Sequence, residues 1–201
     1  ERWLIPAVVA VLLCAFISCV VYNQIHYYSD PFETKIDSGQ TLRVQIIDSD
    51  AVVLSNQKVE GEMILPEEIN GGLRYFPLRT IGRYTFFGNE KLTKVKLPNN
   101  LRRLGEWSFA SCLDLKDTLV LPLNLAKIGR DAFTGTKFSH ILVQTKNLEL
   151  VDTVTVNNYF FKSPTTKKIV LEETVESLPK FLFRNVKNVD TVLILCDLKE
   201  T

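Results

Sequence analysis

The sequence predicts a mainly β solenoid of short parallel strands, preceded by one transmembrane α-helix, and three observations carry that prediction. A box reading aliphatic residue, glycine, three variable residues and phenylalanine occurs at Ile81–Phe86, returns at Leu104–Phe109 and returns again at Ile128–Phe133, with starts 23 and 24 residues apart. Between boxes lies a short β-type run that ends near a proline, as in Lys94-Val95-Lys96-Leu97-Pro98 and Thr118-Leu119-Val120-Leu121-Pro122. At the N-terminus, Trp3 to Tyr22 carries no charge at all. A period of this size marks stacked units, each of which buries its apolar face only against its neighbours.

In chain order, residues 1–22 come first. About twenty apolar residues at 1.5 Å rise span a hydrocarbon core of roughly 30 Å, which predicts a bilayer-spanning helix over residues 3–22. Leu12 and Phe16 lie in its apolar body, and Trp3 and Tyr22 stand at its two ends, where interfacial aromatics belong. Pro6 falls in the first turns, where a missing donor costs little. Two other readings stay open: a cleaved signal peptide, or a lipoprotein signal in which Phe16-Ile17-Ser18-Cys19 ends at an acylated Cys19. All three send the rest of the chain across a membrane. The long C-terminal part holds no second span, and a signal-anchor places it on the exocytoplasmic side, periplasmic or extracellular. The lack of an Asn-x-Ser/Thr sequon favours a bacterial source.

Residues 23–40 are polar with interspersed aromatics and read as a juxtamembrane linker, His26 and its tyrosine neighbours forming a headgroup-level cluster. Over 41–60, two β-type runs flank the turn cluster Asp48-Ser49-Asp50, a hairpin signal. Such a hairpin is placed to cap the first core layer of the solenoid. Residues 61–201 hold about five repeats. Their phenylalanines fall at 86, 109, 133, 161 and 183 and predict a stacked aromatic spine. Pro98 and Pro122 end their strands for want of a donor. Gly82, Gly105 and Gly129 permit a bend or a close backbone approach at the corner, and Arg83, Tyr84 and Thr85 read as decoration of a turn.

From Pro98 to Cys112 the chain reads Pro-x-x-Leu-x-x-Leu-Gly-x-x-x-Phe followed by a small residue and Cys. This resembles the BspA-like leucine-rich repeat of bacterial surface antigens, over about residues 60–196. The resemblance implies a right-handed leucine-rich-repeat coil, associated with a membrane or surface, that binds proteins or extracellular matrix and has no catalytic residues to carry over.

Aligning the strands points Met63, Val95, Leu119, Ile141, Ile169 and Val192 inward, together with Leu65, Leu97, Leu121, Val143, Leu171 and Ile194. The row between them, Ile64, Lys96, Val120, Leu142, Val170 and Leu193, faces outward although only Lys96 is polar. A contiguous exposed apolar stripe commonly marks an interaction surface, so these six are the candidate partner-binding residues; β-propensity alone, or cover by the linker, is the competing account. The flanking row Glu62, Lys94, Thr118, His140, Lys168 and Thr191 supplies a polar rim.

No catalytic, cofactor or metal site is expected. The two histidines, His26 and His140, have no Cys or carboxylate at ligand spacing. Glu67-Glu68 and Glu172-Glu173 read as solvated turns. With 24 basic against 23 acidic residues there is no footprint for nucleic acid, and Arg102-Arg103 and Lys167-Lys168 are too short to make one. Cys112 and Cys196 lie several coils apart, beyond bridging distance. The expected partners are therefore other proteins and, through residues 3–22, a lipid bilayer, with no small-molecule substrate. Two functions compete: a cell-surface recognition or adhesion module, and an accessory subunit of a membrane complex. The second draws on the apolar stripe and on a last strand without an evident cap, which residues beyond Thr201 or another subunit would cover.

Overall fold

A computed structural model describes residues 28–55, 57–151, 161, 163–180, 182–184 and 186–197 and shows a β-solenoid of about five turns. The expected helix with Trp3, Leu12, Phe16 and Tyr22, together with Cys14, Cys19 and His26, lies outside the described residues. Among the described residues, no helix is long and apolar enough to cross a membrane.

The solenoid starts with three antiparallel strands. Strand β2 (Thr41–Ile47) alternates so that Leu42, Val44 and Ile46 are buried and Thr41 and Arg43 are exposed. A tight turn through Asp48 and Ser49, both with positive φ (49° and 72°), returns the chain into β3 (Asp50–Val53). Two successive left-handed residues give the turn the twist that matches a right-twisted hairpin. A hairpin is thus present over Thr41–Val53, within the expected 41–60. Within the stretch expected as a linker, Phe32–Lys35 forms β1, antiparallel to β2. Phe32 packs on the core and Ile36 is buried, so this segment has apolar contacts that a solvated linker lacks.

The coils through Gly129 each have a longer strand, a proline turn, a short second strand and a glycine corner, and the later coils lack the proline and the glycine. The first coil holds β4 (Gly61–Ile64), β5 (Glu68–Asn70) and β6 (Tyr75–Ile81); the next holds β7 (Leu92–Lys96) and β8 (Arg103–Leu104). Then come β9 (Lys116–Leu121) with β10 (Lys127–Ile128), β11 (Lys137–Val143) with β12 (Glu149–Leu150), and finally β13 (Lys168–Leu171) and β14 (Thr191–Ile194). The second strands pair in parallel as β3-β6-β8-β10-β12, which carries the sheet of the N-terminal hairpin as far as Leu150. The longer strands form a two-stranded sheet, β4-β7, and a four-stranded parallel sheet, β9-β11-β13-β14. No ladder joins β7 to β9.

The core between these sheets holds the aromatic spine. Phe86, Phe109, Phe133, Phe161 and Phe183 stack in succession with ring centroids 5.0, 5.5, 5.2 and 5.7 Å apart. The first four are buried to within about a percent, and offset stacks at this spacing add to area burial. The glycine corners form a second column. A Cβ on Gly105 would sit 2.5 Å from the Gly82 carbonyl carbon, and one on Gly129 would sit 2.7 Å from that of Gly105. Close approach of successive corners, not unusual φ, is what these glycines provide. The amides of Gly82, Gly105 and Gly129 donate to Val53, Ile81 and Leu104 carbonyls at 2.8–2.9 Å.

The residues between glycine and phenylalanine do more than decorate the turn. Tyr84, Trp107 and Asp131 occupy the same box position at φ 53°, 55° and 54°. This conformation lets alternate amides point along the solenoid axis: Tyr84 and Phe86 donate to the Glu106 and Ser108 carbonyls, and Trp107 and Phe109 to those of Arg130 and Ala132. Thr85, expected to decorate the turn, is fully buried, as are Ser108 and Ala132 at the equivalent box positions. Thr85 stays satisfied because its hydroxyl donates to the Gly82 carbonyl at 2.8 Å.

Candidate interaction surface

Parallel pairing puts Val120, Leu142, Val170 and Leu193 directly opposite one another on β9, β11, β13 and β14. On either side, Leu119, Ile141, Ile169, Leu121, Val143 and Leu171 are buried, and Val120, Leu142 and Val170 between them are partly exposed. The alternation of a pleated strand therefore holds, with one apolar row facing outward. Ile64 and Lys96 are also opposite each other and exposed, but they sit on the separate β4-β7 sheet. The six candidate residues thus fall into a pair and a row of four. Along the edge of the row, Thr118, His140, Lys168 and Thr191 are opposite neighbours, and a pair of Glu62 and Lys94 closes to 3.2 Å. The Nδ1 of His140 lies 2.8 Å from the Ser139 hydroxyl. Among the described residues no cluster of His, Cys, Asp or Glu could hold a metal ion.

The last strand departs from the expected inward pattern. Val192 and Ile194 align with buried Ile169 and Leu171, yet they are 54% and 58% exposed. Among the described residues no strand pairs with the outer edge of β14, so these side chains lie at an open end of the core. Both remaining described cysteines are free thiols. Cys112 is buried and its S–H donates to the Phe86 carbonyl at 3.0 Å; Cys196 is half-buried.

Two surface features had only faint signals in the sequence. On the turn face, Tyr84 stacks on Trp107 with centroids 6.3 Å apart, and Phe87 meets both rings edge-on. Beside them Glu106 receives Arg83 at 2.6 Å and Arg130 at 3.9 Å, a ladder across three coils. The shared box position of Tyr84 and Trp107 was the available clue. The second feature is the antiparallel pair β5-β6, whose tip spans 71–74. Its clue was spacing: Pro66 precedes Gly82 by sixteen positions, whereas Pro98 precedes Gly105, and Pro122 precedes Gly129, by seven. The hairpin is an insertion of about nine residues at the proline corner.

A family model described as the BspA type leucine rich repeat region matches residues 79–200, in six copies. The chain belongs to the BspA-type leucine-rich repeat family. Among solved structures, this BspA-type chain is similar to a leucine-rich repeat protein from Bacteroides capillosus ATCC 29799, at 19% identity with a TM-score of 0.52, covering 81% of this chain and 97% of that one. That likeness shows the fold. Other matches are a leucine rich cell surface protein from Faecalibacterium prausnitzii A2-165 (20% identity, TM-score 0.48, 83% of this chain and 43% of that one) and a leucine rich repeat protein of T. pallidum (15%, 0.48, 83% and 83%). No curated protein matches this chain.

Proposed function

We propose that this BspA-type protein is a non-catalytic, membrane-anchored binding module, held in a bilayer by residues 3–22 and presenting its solenoid on the exocytoplasmic side to recognise other proteins. Leucine-rich repeats generally mediate protein–protein contacts. The observation that carries the reading is the outward row Val120, Leu142, Val170 and Leu193, four apolar side chains in register on one sheet. A half-exposed apolar row beside a polar rim has the anatomy of an interface core and its border.

An accessory subunit of a membrane complex is the second reading. It is favoured by the Tyr84–Phe87–Trp107 cluster on a different face, with Tyr84 and Phe87 exposed and Trp107 partly so, which would give a second neighbour an apolar footing. Gentle detergent extraction followed by native mass measurement separates the two, since a recognition module emerges alone and a subunit brings fixed partners. The same preparation tests the row. Val120→Glu and Leu142→Glu each place a charge in the proposed contact and are expected to weaken partner binding about tenfold or more while the melting temperature holds. If both variants unfold, the row is core and the proposal fails.

A further inference from the structure

The β5-β6 hairpin lengthens the Pro66 corner by about nine residues relative to those of Pro98 and Pro122, and its tip is built to present apolar groups outward. Leu73 is 104% exposed, as free as in an extended peptide, and Tyr75 is 64% exposed. The tip beneath them is well braced. Gly71 donates to the Arg74 carbonyl at 2.9 Å, and Gly72, at φ 97°, donates to the Asn70 side chain at 2.8 Å. Phe76 is buried and carries the Arg74 guanidinium 4.6 Å above its ring. A rigid turn that holds a leucine entirely in water loses the burial energy of that side chain unless something covers it.

Strand directions say which way the tip points. Strand β6 runs parallel to β3, so its Tyr75 end lies at the same rim as the Asp48-Ser49 turn and extends beyond Asp50. At that rim Tyr28 pairs with Ile47 on the neighbouring side of the sheet, and Tyr28 is 59% exposed. The uncharged run ends at Tyr22. At most ~3.5 Å per residue, the chain from Tyr22 to Tyr28 reaches only about 20 Å. Resting on the anchor reading above, this places a bilayer close to the rim from which the hairpin projects.

We propose that the 71–75 tip is a lipid-surface contact, with Leu73 entering the acyl boundary, the Tyr75 ring at headgroup depth and the Arg74 cation near phosphate. The residue types suit those depths. Asp48 and Glu68, also exposed at this rim, offset Arg74 and Arg102, so apolar burial and not net charge carries the contact. Zwitterionic phosphatidylcholine should therefore suffice. Together the span and the tip would fix the solenoid at two points and hold its axis against the membrane.

The test reconstitutes the full chain in phosphatidylcholine vesicles with a photoreactive benzoylphenylalanine at Leu73 or, as control, at Phe87, beyond the far end of β6. Burying one leucine-sized side chain favours the docked pose by about tenfold or more, so the lipid adduct seen by mass spectrometry should be about tenfold greater at 73 than at 87. Carbonate extraction is run on the same vesicles. Chain retained with the adduct at 73 supports the proposal. Chain retained with equal adducts at both positions, or with protein adducts at 73, overturns it and leaves the anchor standing. Chain released by carbonate overturns the anchor reading, and this inference with it.

Discussion

The interior coils and the last strand of the solenoid use the same residue pattern in different surroundings. Ile169 and Leu171 on β13 are buried, while Val192 and Ile194, one strand further and in the same two inward rows, are more than half exposed. At the opposite end, β2 and β3 keep Leu42, Val44, Ile46, Ala51 and Val53 almost wholly out of water. A solenoid layer is buried by its two neighbours, so identical side chains contribute different amounts depending on what stacks on them. The difference between β13 and β14 is one of neighbours and not of sequence. Substitutions in matched positions should therefore have unequal effects.

The largest inequality is expected along the aromatic spine. Phe133 stacks between Phe109 and Phe161 and is met edge-on by Phe138, while Phe183 stacks on Phe161 alone among the described residues and is only half-buried. Phe133→Ala removes a fully enclosed ring and should cost about 3–5 kcal/mol. Phe183→Ala removes one that is only half-buried and should cost about 1–2 kcal/mol. Urea denaturation of both variants reads the gap. Equal costs would mean that the last layer is as enclosed as the interior.

What the sequence made legible follows the same division. The strand rows could be aligned from alternation alone, and the pairing Val120↔Leu142↔Val170↔Leu193 agrees residue by residue, because a one-residue slip would have turned every buried side chain outward. The spine was equally legible, since phenylalanine recurs at each coil. Other features escaped for identifiable reasons. Thr85 is polar and short, so it reads as turn decoration, yet the turn geometry buries it and its hydroxyl finds a carbonyl. Glu68–Asn70 is too short and too polar to signal a strand until it pairs with Tyr75–Pro77. The exposure of Val192 and Ile194 cannot be read from their own pattern, because it is set by whatever lies outside the layer.

A smaller effect should separate the aliphatic rows. Leu171→Ala on β13 opens a cavity at a buried position between β11 and β14 and is expected to cost about 2–4 kcal/mol. Ile194→Ala on β14 removes atoms that already face solvent and should cost less than about 1 kcal/mol. Leu193→Ala, on the outward face of the same strand, should behave like Ile194→Ala. Thermal melts of the three variants order them. If Ile194→Ala proves as costly as Leu171→Ala, that end of the core is covered in solution, and the comparison drawn from the free chain does not describe the working form.

The smallest expected effect lies in the two described free thiols, one in each region. Burial pushes the Cys112 thiol up to about 12 from an unfolded value of 9.0, with its S–H held against the Phe86 carbonyl. The sign follows from which state keeps the proton. Between about pH 9 and 12 the unfolded thiol ionises while the folded one does not, so unfolding releases a proton and stability falls with rising pH, by at most about 1.4 kcal/mol per unit from this group. Below pH 9 both states hold the proton and Cys112 contributes no pH dependence. Cys196, half-buried on the segment after β14, is open to reagent in the folded chain. Iodoacetamide at pH 8.5, followed by peptide mapping, should therefore modify Cys196 in the native protein and Cys112 only once urea unfolds it. Alkylation of Cys112 at the rate of Cys196 without denaturant would show that the interior coils open as readily as the end, against the division between enclosed and open layers.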